Sequence, residues 1–243
     1  MRQPKGIHVE NVGCRVPAYL TPANDYRFTG TTLFGMERGT DPWDADYRQR
    51  GRLWGGCPPP LPLLPQSSRV LELGCGDGRT VSALVQAGCQ VTAIDISSRA
   101  AELCRNACMD RGIAEVLVAS TLAVPFRPGS FDTIMASHIA GHLPDSDRAG
   151  LADEVFRLLV PGGRLYFRDF SVSDFRYGRG TEIGSGTFLR KTGVATHYFT
   201  ADEVRNLFRA LELLSSDEHR WEMRIRGIVH PRAEIAAVFQ KPG

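Results

Sequence analysis

Two acids and three glycines carry the spacing that could do chemistry: Glu72, Asp95, Gly74, Gly76 and Gly78. Residues 70–78 read Val-Leu-Glu-Leu-Gly-Cys-Gly-Asp-Gly, and Asp95 follows about 20 residues on, closing the apolar run 90–96. A carboxylate accepts from both hydroxyls of a ribose at once, which no neutral side chain can do. Glycines remove the Cβ atoms that would hold a ligand away from the backbone. The third glycine comes one residue too early for a dinucleotide fingerprint, and Arg79 fills the expected slot. An acid two residues before the first glycine would also repel a pyrophosphate. These residues suit a nucleoside bearing a positive or zwitterionic group. The alternative, that Glu72 and Asp95 are strand-end acids facing solvent, gives the glycine spacing no purpose.

The elements that must position these residues follow from periodicity. Residues 70–73 read as a buried strand, 79–87 as a helix and 90–96 as a second strand, which together make a nucleotide-binding βαβ unit. Ser97 caps a helix over 98–111, and 115–119 and 131–137 are further strands. A helix over 145–159 ends at Pro161-Gly162-Gly163, and 164–170 is the fifth strand. A helix over 201–211 and strands near 216–225 and 233–240 complete the pattern. The fold class is α/β: a doubly wound, Rossmann-like, mostly parallel seven-stranded sheet with an antiparallel last strand and helices on both faces. In such a sheet the crevice lies at the ends of the first and fourth strands, which places Ser137 and His138 there. His142, one helical turn later, reads as structural. Arg168 and Asp169 close the fifth strand.

Residues 67–243 form the main domain, with 171–200 as an insertion on the acceptor side; the connection 171–197 is long enough to be functional or disordered. Residues 1–66 are an arm or cap: 1–40 lack periodicity, 43–53 open a short helix, and 54–65, rich in Gly and Pro, make a stiff connector.

The net charge of +2 over 243 residues makes no case for nucleic acid by itself. Neither a basic leader followed by an apolar run nor a membrane-length apolar stretch is present, and the six cysteines show no Cys-x-x-Cys spacing. The expectation is a cytoplasmic, reduced, metal-free protein.

The first motif resembles that of class I S-adenosylmethionine-dependent methyltransferases, whose cofactor carries an amino group and a sulfonium. That resemblance implies a cofactor site of Trp43, Tyr47, Glu72, Gly74, Cys75, Gly76, Asp95, Ile96, Ser120, Thr121 and Ser137. Ser120 stands where related enzymes commonly carry an adenine-binding Asp. The C-terminal half is similar to the methyltransferase-like enzymes that make 3-methylcytidine in tRNA. The similarity lies in Leu159–Phe170 (Leu-Val-Pro-Gly-Gly-Arg-Leu-Tyr-Phe-Arg-Asp-Phe), Gly186–Gly193 and Thr196–Thr200. Upstream, Trp43-Asp44-x-x-Tyr47 matches a motif whose aromatics contact the cofactor. Gly193-Val194-Ala195 departs from the family's Gly-Thr-Arg, and the basic stretch after the upstream motif is missing.

The resemblance implies methyl transfer to a nitrogen, with tRNA as acceptor. Asp169 and His138 are the catalytic candidates; Arg168, Arg190 and Tyr198 are the substrate candidates. For RNA, arginines hold phosphates and aromatics stack bases, and seven Arg/Lys against three acids lie between Arg157 and Lys191. A small metabolite as acceptor, with 171–197 as a lid, is the second reading. A non-catalytic cofactor-binding subunit supporting a protein partner is the third. No reading involves a membrane.

Overall fold

The structure is a computed structural model that describes residues 42–51, 60–108, 114–225 and 227–243. Expectations for residues 1–40, Trp54-Gly55-Gly56, Cys14 and Cys57 fall outside the described residues.

Its first half alternates strand and helix. Helix α1 (Pro42–Arg50) precedes β1 (Arg69–Leu73), α2 (Arg79–Gln86), β2 (Gln90–Asp95), α3 (Ser98–Cys108) and β3 (Ala114–Val118). Then come β4 (Phe131–Ser137), a 3-10 turn (Ala140–His142), α4 (Asp145–Leu158) and β5 (Leu159–Phe170). The second half holds β6 (Thr181–Gly184), β7 (Thr187–Leu189), β8 (Ala195–His197), α5 (Ala201–Leu207), β9 (Glu212–Ile225) and β10 (Ile228–Gln240).

Seven strands form one sheet in the order β3-β2-β1-β4-β5-β10-β9. β1 through β5 pair in parallel, and β10 runs antiparallel to both β5 and β9. Chain order reverses between β1 and β4, so the crevice opens beyond Leu73 and Ser137. Burial on both faces explains the unbroken apolar runs of the central strands. Leu71, Leu73 and Ile134 pack toward Leu151, Val155 and Phe208 of one helical layer. Val70, Val91 and Met135 face Val81, Leu84 and Cys104 of the other.

Several elements differ from the sequence reading. β5 begins at Leu159 rather than Arg164, with Pro161–Gly163 bulging between the pairs Phe131↔Leu159 and Thr133↔Arg164. α5 stops at Leu207 although its apolar spacing runs on to Leu211; Thr200 and Glu203 form a capping box at its start. Residues 171–200 are not an irregular connection. They carry a separate antiparallel sheet, β6-β7-β8.

The last two strands are longer than their apolar pattern. β10 pairs with β5 only from Glu234, yet with β9 from Ile228. Six residue pairs therefore overhang the sheet at its crevice end, a ribbon of about 20 Å. Asp174, fully buried, ties the 171–180 segment to this ribbon through Arg176 (2.8 Å) and Arg232 (2.6 Å). Four described cysteines, Cys75, Cys89, Cys104 and Cys108, are free and buried. No described helix is long and apolar enough to cross a membrane.

Candidate active site

The glycine turn is built so that its amides are already spent. Gly74 and Cys75 both donate to the Ile94 carbonyl at 2.9 Å, Gly78 donates to Cys75 at 3.0 Å, and Gly76 donates to Asp95 Oδ2 at 2.9 Å. These four amides are not offered to a phosphate. Gly78 has φ +81°, and a Cβ there would sit 2.8 Å from the Cys104 Cα, so only glycine lets α3 pack onto the turn. At Gly76 (φ +54°) an added Cβ would meet Tyr47 Oη at 2.7 Å.

Acids line this turn, and none faces open solvent. Asp95 ends β2, buried; Ser97 N donates to its Oδ1 at 2.9 Å, and a carboxylate has acceptor capacity beyond these two amide bonds. Glu72 is also buried, its Oε2 without a hydrogen-bond partner among the described residues. Burial pushes the Glu72 carboxyl well above the usual carboxylate range. A cationic group arriving there would supply the missing partner.

Helix α1 reaches the turn by polar contacts rather than an apolar face. Asp44 is buried and accepts from Ser97 Oγ (2.7 Å), Ser98 Oγ (3.2 Å) and Arg99 N (3.0 Å), capping α3 from outside. That anchor sets Tyr47 on Gly76 and turns Trp43 toward His142, ring centroids 4.6 Å apart. Burial and the nearby Asp95 and Asp77 carboxylates push the Tyr47 hydroxyl upward.

Two apolar side chains stand open beside Asp95: Ile96, 48% exposed, and Val118, 47% exposed, the latter paired with Asp95 across β2 and β3. Such a pair offers a flat base an apolar seat. Ser120 Oγ accepts from Leu122 N at 3.2 Å, and Thr121 is buried alongside. The Cys75 side chain turns into the protein, where its contact with the Cys104 thiol and burial push its thiol upward.

On the other side of the crevice His138 follows β4 and Ser137. It is a non-glycine residue at φ +56°, held by its amide bond to the Arg168 carbonyl at 2.7 Å. Its ring stacks on Phe170 at 4.2 Å, with Nε2 3.2 Å from Glu234 and Nδ1 3.7 Å from Asp169. Burial opposes the charged imidazole, but the two carboxylates outweigh it and hold the pKa above the usual 6.5. Glu234 also reaches Arg168 (3.3 Å) and His219 (3.5 Å).

The acceptor residues expected from the sequence do not all meet the crevice. Asp169 is 0% exposed; Oδ2 accepts from Gly141 N at 2.8 Å and Oδ1 from Phe170 N at 2.9 Å. Burial opposes its charge, yet the His138 and His142 rings and the Gly141 amide keep its pKa below the usual value. Tyr198, 1% exposed, is a core ring packed on Phe188, Tyr177 and Phe170. Arg190 is half-buried in the turn between β7 and β8, its amide bonded to the Val194 carbonyl at 3.0 Å. Glu234, Val118 and the anchoring role of Asp44 escaped sequence reasoning. Glu234 lies inside an ordinary strand pattern, and only the pairing of β5 with β10 brings it to His138.

Comparison with known proteins agrees with this geometry. The family described as "Methyltransferase domain" matches residues 71–167. The tRNA N(3)-methylcytidine methyltransferase Mettl2 of Drosophila melanogaster is 28% identical over 229 residues, 82% of this chain and 70% of that protein. The 2-methyl-6-phytyl-1,4-hydroquinone methyltransferase of Synechocystis is 33% identical over 124 residues, 51% of this chain and 37% of that protein. A Methanosarcina mazei SAM-dependent methyltransferase superposes with a TM-score of 0.64 at 27% identity, covering 74% of this chain and 94% of that one. The N-methyltransferase NodS of Bradyrhizobium japonicum, in complex with S-adenosyl-L-homocysteine, shares the fold (TM-score 0.54, 20% identity, covering 73% and 80%).

The residues present fit S-adenosylmethionine, which supplies a methyl group on a positively charged sulfur. Asp95 would hold the ribose hydroxyls, Ile96 and Val118 the base, and the buried, unpartnered Glu72 lies under the turn that would receive the cationic portion. Tyr47 and Trp43 would cover it from α1. Turn, acids, sheet order and relatives agree that residues 71–167 form a methyltransferase domain of the S-adenosylmethionine-dependent kind.

Proposed function

We propose that the methyl group goes to a ring nitrogen of RNA, in a reaction of the 3-methylcytidine type. The observation that carries this reading is the overhanging β9–β10 ribbon, which with the β6-β7-β8 sheet walls the acceptor side of the crevice. That wall is layered with arginines and aromatic rings. Arg176, 3.9 Å over Phe170, and Arg232, 5.2 Å over Trp221, are spent on the buried Asp174 and brace the wall, while Arg179, exposed and 5.0 Å over Phe175, and the exposed Tyr177 present its open part. Such surfaces hold phosphates and stack bases. The likeness to the fly Mettl2 protein over 82% of the chain supports it too.

A neutral cytosine N3 is already nucleophilic, so positioning and a dry pocket supply most of the acceleration. Asp169 acts as a positioning residue: by accepting from Gly141 and Phe170 it fixes the loop after β4 against β5. Arg168 and Arg190 are left to meet the acceptor, while His138 and Glu234 form the charged rim.

A small-molecule acceptor is the second reading. A cavity of about 300 Å³ lies between Pro60–Pro62 and the sheet, lined by Met135, Ser137 and Arg168 at its crevice end. A relative named for ubiquinone biosynthesis, the O-methyltransferase of Xanthomonas euvesicatoria, supports it at 28% identity over 135 residues, 54% of this chain and 55% of that protein. Tritiated S-adenosylmethionine offered with total RNA and with a metabolite extract separates the two. Label on RNA cytidines, with RNA affinity falling steeply as salt rises, is expected. Label confined to metabolites contradicts the RNA reading.

A further inference from the structure

We propose that His142 selects the methyl acceptor, its Nε2 accepting a hydrogen bond from an amino group adjacent to the nucleophilic ring nitrogen. The inference rests on the nitrogen-acceptor reading above and names the group that would read it.

Geometry fixes the ring's tautomer. His142 Nδ1 lies 2.8 Å from the Ala195 carbonyl oxygen, which can only accept, so Nδ1 carries a proton and in the neutral ring Nε2 is bare. Nε2 makes no hydrogen bond to a described residue, and the ring is half-buried rather than sealed. Three elements meet on it: its own turn after β4, Trp43 of α1 edge-on at 4.6 Å, and β8 through Ala195. It therefore sits where cofactor cap, catalytic loop and insertion converge.

Charged groups face it from each charged neighbour: Asp169 from β5, Arg190 from the β7–β8 turn and His138 from the same loop. Burial dominates, and the pKa is held down to about 4. His142 is thus a neutral acceptor at physiological pH, whereas His138, four residues earlier, sits between Asp169 and Glu234, whose carboxylates hold its pKa above the usual value. Environments that push two like groups apart assign them different tasks. A ring that donates would favour a carbonyl; a bare nitrogen favours an amino group and sets its lone pair against a carbonyl oxygen. His142 would thereby admit a 4-aminopyrimidine and resist its 4-oxo counterpart. The methyl transfer itself leaves His142 unchanged.

The test compares RNA oligonucleotides with the target cytidine intact or replaced by 2-pyrimidinone, which keeps N3 and lacks only the amino group. Wild type is expected to prefer cytidine by roughly 10–100-fold in kcat/KM. His142→Asn keeps a donor to the Ala195 carbonyl but removes Nε2. It should shrink that ratio by roughly 10-fold, leaving only the difference in N3 nucleophilicity that the amino group itself makes, while cofactor affinity stays at the wild-type value. A ratio unchanged in His142→Asn overturns the proposal. Failure of the RNA reading is distinguishable, because wild type would then methylate neither oligonucleotide. In that event ¹⁵N NMR of the full chain near pH 7 decides the state of His142 without an acceptor. Bare Nε2 with protonated Nδ1 supports the inference; a doubly protonated ring or the opposite tautomer overturns it.

Discussion

At the scale of single residues, the site depends on acids whose neighbours settle their charge. Asp169 is buried and stays ionised because two amides and two imidazoles surround it. Glu72, equally buried, lacks such support, and its carboxyl is pushed the other way. His138 gains from this arrangement. Its folded pKa lies above the unfolded 6.5, so its stabilisation is fully present below pH 6.5 and is lost as pH rises through the folded value. His138→Asn is expected to cost most stability near about pH 6 and progressively less toward about pH 9, read by urea denaturation at each pH. A cost that does not change across that range would contradict the ion cluster. None of this charge pattern was legible in the sequence, because an acid at a strand end looks the same whether its side chain meets water or the amides of the next loop.

At the scale of elements, α1 has almost no apolar face, and its place rests on Asp44 at the N-terminus of α3. Asp44→Ala should remove about 1 kcal/mol of capping energy. It should also weaken S-adenosylmethionine binding by about tenfold, because Tyr47 and Trp43 lose their seat. Calorimetry giving an unchanged affinity would show that α1 does not cover the cofactor. The central strands and helices were readable because both obey a single period, with apolar residues in the expected positions. β6, β7 and β8 were not, since strands of three or four residues between glycines carry no period to detect. The outer part of β9 was missed for a related reason: its overhanging residues are mostly polar and exposed, so no buried face marks them.

At the scale of the whole molecule, the sheet divides the labour. β1, β2 and β3 bring Glu72, Asp95 and Val118 to the nucleoside side. β4, β5 and β10 bring Ser137, Arg168 and Glu234 to the acceptor side, and the chain reversal between β1 and β4 leaves the gap where they meet. The nucleoside half was legible as a spaced glycine-and-acid pattern within 26 consecutive residues, 70–95. The acceptor half is assembled from distant strands, and pairing alone reveals it. The central claim is that Asp95 holds the ribose of S-adenosylmethionine at a turn whose amides are closed to phosphate. Calorimetric titration of Asp95→Asn, which preserves one acceptor oxygen for the turn, tests it most directly. The expected result is a folded protein with a lowered melting temperature, because one of the two amides that Asp95 accepts from loses its partner, an affinity for S-adenosylmethionine lower by about 100-fold, and no heat from a nicotinamide dinucleotide in either protein. Wild-type affinity in Asp95→Asn, or tight binding of the dinucleotide, would contradict it.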